Sequence, residues 1–356
     1  MSVETESRAL HGRVRAFIDK SLTAAACESF DSLACALARF QAEHVPVVRA
    51  AFRRAGIHPA DLSSANQIPA IPTDIFRLRR VAAHPENLDT RVFETSGTTF
   101  GKPGHHAFRE LDTYHHGALR WAEQMLWPDD PRLRVVLLAC SEAQAPTSSL
   151  SYMLARFADR HGNGAWFWDG ERLDLPGLVA ALTIASNVPV LVAGTSFAFV
   201  HLCDTLSGPL PLPKGSRVMQ TGGFKGRSRE VAPTELRASL SKTFDLAENA
   251  IVAEYGMTEL SSQLYQRLGD AGDRYLAPPW LRVEAACPET LALLPRGYEG
   301  IARFLDLANV DSSVGIQTAD RVIVDEDGGV TLLGRLPGAP PRGCSLSIEH
   351  VLTADG

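Results

Sequence analysis

Residues 94–104 read Glu-Thr-Ser-Gly-Thr-Thr-Phe-Gly-Lys-Pro-Gly. The stretch follows a short β-like run, Arg91–Phe93, and precedes a helix-like one, Leu111–Met125. Gly97, Gly101 and Gly104 let the backbone turn tightly with positive φ. Ser96, Thr98 and Thr99 supply hydroxyls, and Lys102 adds a positive charge. Successive backbone N–H groups in such a loop form a nest for phosphate oxygens. The competing reading is a surface turn rich in Ser, Thr and Gly. The loop is not a Walker A sequence, because it lacks the Gly-Lys-Ser/Thr ending at the required spacing.

Upstream, apolar residues recur at three- and four-residue spacing from Leu10 to Ile18 and from Phe30 to Phe52, broken at Pro46. This pattern predicts helices over residues 1–65. Residues 67–77 (QIPAIPTDIFR) read as an extended, proline-broken connector. Downstream, β-like runs at 134–138, 188–193, 217–220 and 250–253 alternate with helical stretches at 150–159, 175–184, 197–205 and 233–242. Such alternation predicts an α/β core, over 66–280, with a sheet flanked by helices. From about Leu281 the helical period gives way to short β runs at 301–305, 321–324 and 330–333. A smaller β-rich subdomain is expected over 281–335, followed by a short tail, 336–356, with a possible short helix.

The 356 residues carry 45% hydrophobic and 21% charged side chains and a net charge of −6. That composition excludes a disordered chain. No strongly basic stretch stands out, so nucleic acid is not the expected ligand. The six cysteines form no CxxC pair, which argues against zinc sites and disulfide scaffolds. The first fifteen residues contain no apolar h-region, and no apolar run is long enough to span a bilayer. A cytoplasmic location with reduced thiols is expected. His105-His106 and His115-His116 are weak metal candidates, since adjacent side chains point in different directions. His105 and His106 lie just after the loop, which leaves them a role near substrate. Trp166-Phe167-Trp168 reads as packing.

Three further segments accompany the loop: Glu254-Tyr255-Gly256-Met257-Thr258-Glu259, Gln317-Thr318-Ala319-Asp320 and Leu333-Gly334-Arg335. In order and spacing the four resemble the core motifs of adenylate-forming enzymes, with Ala319 where glycine is usual. The Glu94-Thr95-Ser96 opening, the segment Thr221-Gly222-Gly223-Phe224-Lys225-Gly226 and the ending Arg342-Gly343-Cys344-Ser345-Leu346 resemble, more narrowly, the LuxE-type acyl-protein synthetases. The likeness covers roughly residues 65 to 350 and implies the large N-terminal domain of that superfamily. It implies ATP and Mg²⁺. Thr95, Ser96, Gly97, Thr98, Thr99, Gly101 and Lys102 would line the triphosphate, with Lys102 and Thr258 taking part in catalysis. Glu259 would hold the metal. Tyr255 and Gly256, with Gly222 and Gly223, would meet the adenine, and Asp320 and Arg335 the ribose.

Each of these residues also has an ordinary explanation. Asp320 suits a turn, Arg335 a solvated face, and Glu259 a first helical turn. Their joint order favours the functional reading. Cys344 is the sharpest candidate: a thiolate is a strong nucleophile and its thioester stays reactive. In the family, a cysteine at this motif carries the acyl group, and an acyl reductase receives it. The remaining five cysteines read as core residues. Two departures stand out. Gly104 occupies the place where the superfamily loop often has a second lysine. Only 21 residues follow Arg335, so the family's C-terminal lysine domain is expected to be essentially absent. The expected activity is ATP-dependent activation of a carboxylic acid, a fatty acid first, and its transfer to Cys344. Two alternatives remain: a ligase passing a fatty or aromatic acyl group to coenzyme A or another nucleophile, and a non-catalytic nucleotide- or acyl-binding subunit.

Overall fold

A computed structural model describes residues 2–23, 25, 28–95, 102–162, 164–184, 187–222, 231–270 and 272–336. Ser96, Gly97, Thr98, Thr99, Gly101, Gly223, Cys27, Cys344 and the possible helix after Pro337 lie outside the described residues. The chain forms two compact units. One comprises Met1–Arg120, Met257–Gln263 and Leu276–Gly356; the other comprises Trp121–Gly256 and Leu264–Tyr275. This division differs from the expected one. The N-terminal helices and the C-terminal strands share a unit, and residues 66–280 are split.

The chain opens with α1 (Val3–Ser21), α2 (Phe30–His44) and α3 (Pro46–Ala55). Ser2 and Ser29 cap α1 and α2 by accepting from Thr5 N and Ser32 N, which satisfies amides that have no partner within the helix. Pro46 starts α3, and Gly56 ends it at φ 65°. The 67–77 connector holds two short elements, β1 (Ile71–Pro72) and the single turn α4 (Ile75–Leu78). Next come the antiparallel hairpin β2 (Arg91–Glu94) and β3 (His105–Phe108), then α5 (Asp112–Met125).

The second unit contains β4 (Arg134–Leu138), α6 (Ser149–Arg160), β5 (Ala165–Trp166), α7 (Leu175–Thr183), β6 (Val190–Thr195), α8 (Ser196–Thr205), β7 (Arg217–Thr221), α9 (Pro233–Phe244), β8 (Ile251–Tyr255), β9 (Leu264–Tyr265) and β10 (Arg274–Tyr275). Its sheet runs β5-β4-β6-β7-β8-β9, parallel except for β9. Burial on both faces explains the continuous apolar runs of β4 and β6. After β5 the chain returns past β4 to form β6, so the strand order reverses between β4 and β6. Open α/β sheets bind ligands outside the carboxyl ends of strands at such a reversal.

The first unit resumes with β11 (Leu281–Ala286), β12 (Glu299–Asp306), β13 (Gly315–Val324) and β14 (Val330–Arg335). They form an antiparallel meander, with β1 parallel to β13. The N-terminal helices are built into this unit. Gln41 of α2 is fully buried. Its Nε2 donates to the carbonyls of Asn309 (2.7 Å) and Val310 (2.9 Å), and its Oε1 accepts from Val314 N (2.8 Å). From α1, Ser7 Oγ donates to Asp311, and His11 Nε2 lies 3.2 Å from the same carboxylate. Burial alone would push Asp311 upward. The hydrogen bonds from His11 and Ser7 and the charges of His11 and Arg109 instead hold it below the usual carboxylate range.

Replacing Gln41 by alanine strands two carbonyls and one N–H in the interior. The Gln41→Ala variant is expected to lose about 2–3 kcal/mol of stability in denaturant unfolding. An unchanged midpoint would show that the helix does not anchor the 309–314 loop.

Candidate active site

In the first unit, the glycine-rich loop is the connection of the β2–β3 hairpin. Its base is closed by Thr95 and Gly104. Thr95 N donates to Gly104 O (2.9 Å), and Gly104 N donates to Thr95 Oγ1 (2.8 Å). Thr95 is buried, so its hydroxyl supports the loop, whereas Lys102 is exposed. A Cβ at position 104 would lie 3.2 Å from both Arg77 Cγ and Thr95 Cγ2, and 3.4 Å from the Phe76 carbonyl carbon. That crowding gives a physical reason for glycine where the superfamily loop often carries a lysine.

His106 of β3 ties this hairpin to the Tyr255–Glu259 motif. Its Nδ1 lies 2.7 Å from Thr258 O, and its Nε2 lies 2.9 Å from Ser312 Oγ. A carbonyl only accepts, so Nδ1 carries the proton and Nε2 accepts from the serine. His106 is fully buried, and desolvation lowers its pKa to about 4 against the smaller effect of the Thr258 hydrogen bond. The ring is therefore neutral at physiological pH. His105, its neighbour, is exposed and pairs with Glu94 at 3.4 Å. The alternation of a strand separates the two histidines, as the sequence predicts.

Thr258 is buried and donates to Glu94 O (3.3 Å). Glu259 is also buried, and its carbonyl accepts from Asn309 Nδ2 (2.9 Å). The residues just after it are fixed by Asp306. This carboxylate accepts from Ser261 N (2.9 Å), Ser262 N (2.9 Å), Ser262 Oγ (2.7 Å) and Ala308 N (3.0 Å). Burial still pushes its pKa up to about 6. Asp320 and Arg335 stand directly opposite each other on β13 and β14, with Nη1 and Oδ1 3.7 Å apart. The two residues assigned jointly to the ribose are thus neighbours. Ala319 is fully buried, and its carbonyl accepts from Leu336 N (3.0 Å).

The second unit holds Gly222, Tyr255 and Gly256 at the carboxyl ends of β7 and β8. Gly222 adopts φ 72°, a conformation that favours glycine. Thr221 and Glu254 are register partners, and the Thr221 hydroxyl donates to the Glu254 carboxyl. Desolvation raises Glu254 to about 7, opposed by that hydrogen bond. Within its motif Glu254 carries no expected role. Nothing in the sequence marks Asp306, Asn309 or His106 as supports of the motif either, because their partners lie far away along the chain.

Trp168 is buried and packs edge-on against Phe197, with centroids 4.8 Å apart. Half-buried Phe167 packs against the core cluster that contains Trp168. All three aromatics also line an open cavity of about 640 Å³, together with Ser141, Gln144 and Arg172. Among the cysteines, Cys35 is buried, whereas Cys140, Cys203 and Cys287 are partly exposed. Cys287 is not a core residue: it sits in the turn after β11 and its thiol donates to Glu289 (3.0 Å).

Comparison with solved structures places the fold among the adenylate-forming enzymes. An open conformation of 2-hydroxyisobutyryl-CoA ligase, in complex with 2-HIB-AMP and CoA, matches with a TM-score of 0.65 at 15% identity. The match covers 93% of this chain and 70% of that one. ATP-bound MatB from Rhodopseudomonas palustris matches with a TM-score of 0.52 at 16% identity, over 68% of this chain and 47% of that one. The chain thus spans about half the length of MatB. The family model for acyl-protein synthetase, LuxE, matches residues 170–353, and the chain belongs to that family. A relative, the long-chain-fatty-acid–luciferin-component ligase of Vibrio harveyi, is 22% identical over 304 residues, covering 81% of this chain and 79% of its own. The ligase of the same name from Aliivibrio fischeri is 26% identical over 199 residues, covering 52% of each chain.

The low folded-state pKa of His106 sets an acid limit. Above pH 6.5 both folded and unfolded states keep the ring neutral. As pH falls from 6.5 toward 4, the unfolded state binds the proton first, and about 3 kcal/mol of stability is lost. The His106→Gln variant is expected to lose about 2–3 kcal/mol less than the parent between pH 7 and 4.5, in unfolding curves at each pH. Parallel losses would mean that other groups set the limit.

Proposed function

We propose that this protein uses ATP to activate a carboxylic acid, a fatty acid by preference, and passes the acyl group to a protein thiol. The observation that carries the reading is family membership, over a span that includes the Tyr255–Glu259, Asp320 and Arg335 motifs. The relatives' names point to a long-chain fatty acid. In the first step a carboxylate oxygen attacks the α-phosphorus of ATP. An acyl-adenylate forms, and the bond to the β-phosphate breaks to release pyrophosphate. In the second step the Cys344 thiolate attacks the acyl carbonyl carbon and AMP departs. The resulting thioester then supplies a partner, an acyl reductase in this reading.

Such chemistry depends on positioning and on charges preset for the transition state. Ser96, Thr98, Thr99 and Lys102 are assigned to the triphosphate, and Thr95 and Gly97 to shaping that loop. Thr258 is assigned to the α-phosphate, Tyr255 and Gly222 to the base, and Asp320 with Arg335 to the ribose. The oxygen donor of Glu259 suits Mg²⁺, which commonly takes one or two carboxylates and completes its shell with phosphate and water. When bound, the ion would neutralise developing phosphate charge. Glu259 is buried, and Asn309 Nδ2 donates to its carbonyl, which holds the backbone at this residue. A cytoplasmic location accords with the absence, among the described residues, of any helix long and apolar enough to cross a membrane.

The test is acid-dependent ATP–pyrophosphate exchange across medium-chain, long-chain and aromatic acids. Exchange with fatty acids is expected, and Glu259→Gln is expected to lower it by roughly 100-fold or more. Cys344→Ala should keep exchange and abolish the acyl adduct seen by intact mass. Continued transfer to coenzyme A in that variant would indicate a soluble-acceptor ligase. ATP binding without exchange would indicate a non-catalytic subunit.

A further inference from the structure

Near the mouth of the β2–β3 hairpin, a cluster of three charged groups holds two buried polar atoms with no hydrogen-bond partner. Asp74, between β1 and α4, is 7% exposed, and its Oδ1 has no hydrogen-bond partner. Among the described residues, the Arg77 guanidinium has Asp74 as its ion-pair partner, with Nη1 3.9 Å from Oδ1, beyond hydrogen-bond reach. The Arg77 side chain is only 10% exposed. Arg335 reaches Asp320 at 3.7 Å, and its Nε is buried without a partner. Strand pairing gathers them: Pro72 pairs with Gln317 on β13, and Asp320, three residues further along β13, faces Arg335. Burial raises the Asp74 carboxyl, and the charges of Arg77 and Arg335 oppose it.

Buried polar groups in native proteins are normally paired, and a cluster of unmet ones calls for an explanation. Local folding explains the positions here but not the vacancies. Thr73 N donates to Gln317 O (3.1 Å), which carries β1 onto β13. Arg77 N donates to Asp74 O (3.0 Å), which closes the α4 turn. The Arg77 stem then lies beside Gly104, one of the two residues that close the hairpin. A guanidinium beside such a loop, with its carboxylate partner beyond hydrogen-bond reach, is suited to a phosphate oxygen, which accepts in the plane of the fork.

We infer that Arg77 is a phosphate-binding residue of the nucleotide site, held in reach by Asp74 and aided by Arg335. The inference rests on the ATP-dependent reading above and extends it to the connector that precedes the loop. Arg77 contacts the β- or γ-phosphate, and Asp74 is a positioning residue that keeps the guanidinium at the hairpin mouth while the ligand is absent.

The experiment compares binding of ATP, pyrophosphate and AMP to the full chain by calorimetry. Arg77→Met keeps the stem on Gly104 and removes the charge. It is expected to weaken ATP and pyrophosphate by roughly tenfold or more, the loss of one charge-assisted hydrogen bond, while AMP changes less than twofold. Arg77→Lys should recover part of the ATP affinity, and the melting temperatures of both variants should stay near the parent's. Equal losses for ATP and AMP, or no loss for ATP, would overturn the assignment with the ATP reading intact. A parent protein that binds neither ATP nor pyrophosphate at millimolar concentration would overturn both.

Discussion

The buried carboxylate of Asp306 is the constraint on which the first unit's chemistry depends. It accepts four hydrogen bonds, three of them from Ser261 and Ser262, just downstream of Glu259. A carboxylate withdrawn from water is costly unless donors surround it, and a backbone held by such donors has little freedom. Asn309, three residues on, extends the same lock to the Glu259 carbonyl and to Ser261 Oγ. His106 completes it from the hairpin side through Thr258. The motif is thus gripped at 258, 259, 261 and 262 by two separate stretches of chain. Charged and hydroxyl groups that must meet a developing phosphate charge gain their effect from such prior fixation.

The N-terminal helices acquire a purpose from the same network. Gln41 holds the loop at 309, 310 and 314, and Ser7 and His11 hold Asp311. The core motifs of the family leave these residues unexplained. Physically, they are the outer wall of the cradle that fixes Asn309. In this chain the Thr258–Glu259 motif residues are thus supported by segments with no motif at all.

How much was legible follows from how local each signal is. The helices at Phe30–His44 and Pro46–Ala55 and the strands at Arg134–Leu138 and Val190–Thr195 stood out, because periodicity and apolar runs are local properties. The first half of β13 did not. Gln317 and Thr318 are polar yet buried, and both donate to Ala302 O. A strand whose inner face is hydrogen-bonded polar residues shows no alternation to read. The His105–Phe108 strand was hidden in the same way by two histidines with opposite fates. The motifs name candidate residues, and strand pairing sets two of them, Asp320 and Arg335, opposite each other. The roles of Asp74 and Arg77 could not be seen, because they arise when β1 pairs with a strand more than two hundred residues later. The division into compact units is equally hard to read, since residues distant in sequence share one body.

The bond from Gln41 to Asn309 spans 268 residues, and that from Ser7 to Asp311 spans 304. On a ribosome adding about 5–20 residues per second, α2 waits roughly 13–54 s for its partners to be made. During that time the Gln41 amide and the Ser7 hydroxyl have no 309–314 loop to satisfy them. The second unit, drawn entirely from residues 121–275, has no such delay. The nascent chain is therefore expected to complete its middle before its beginning, with the first helices as the stretch in greatest need of chaperone cover.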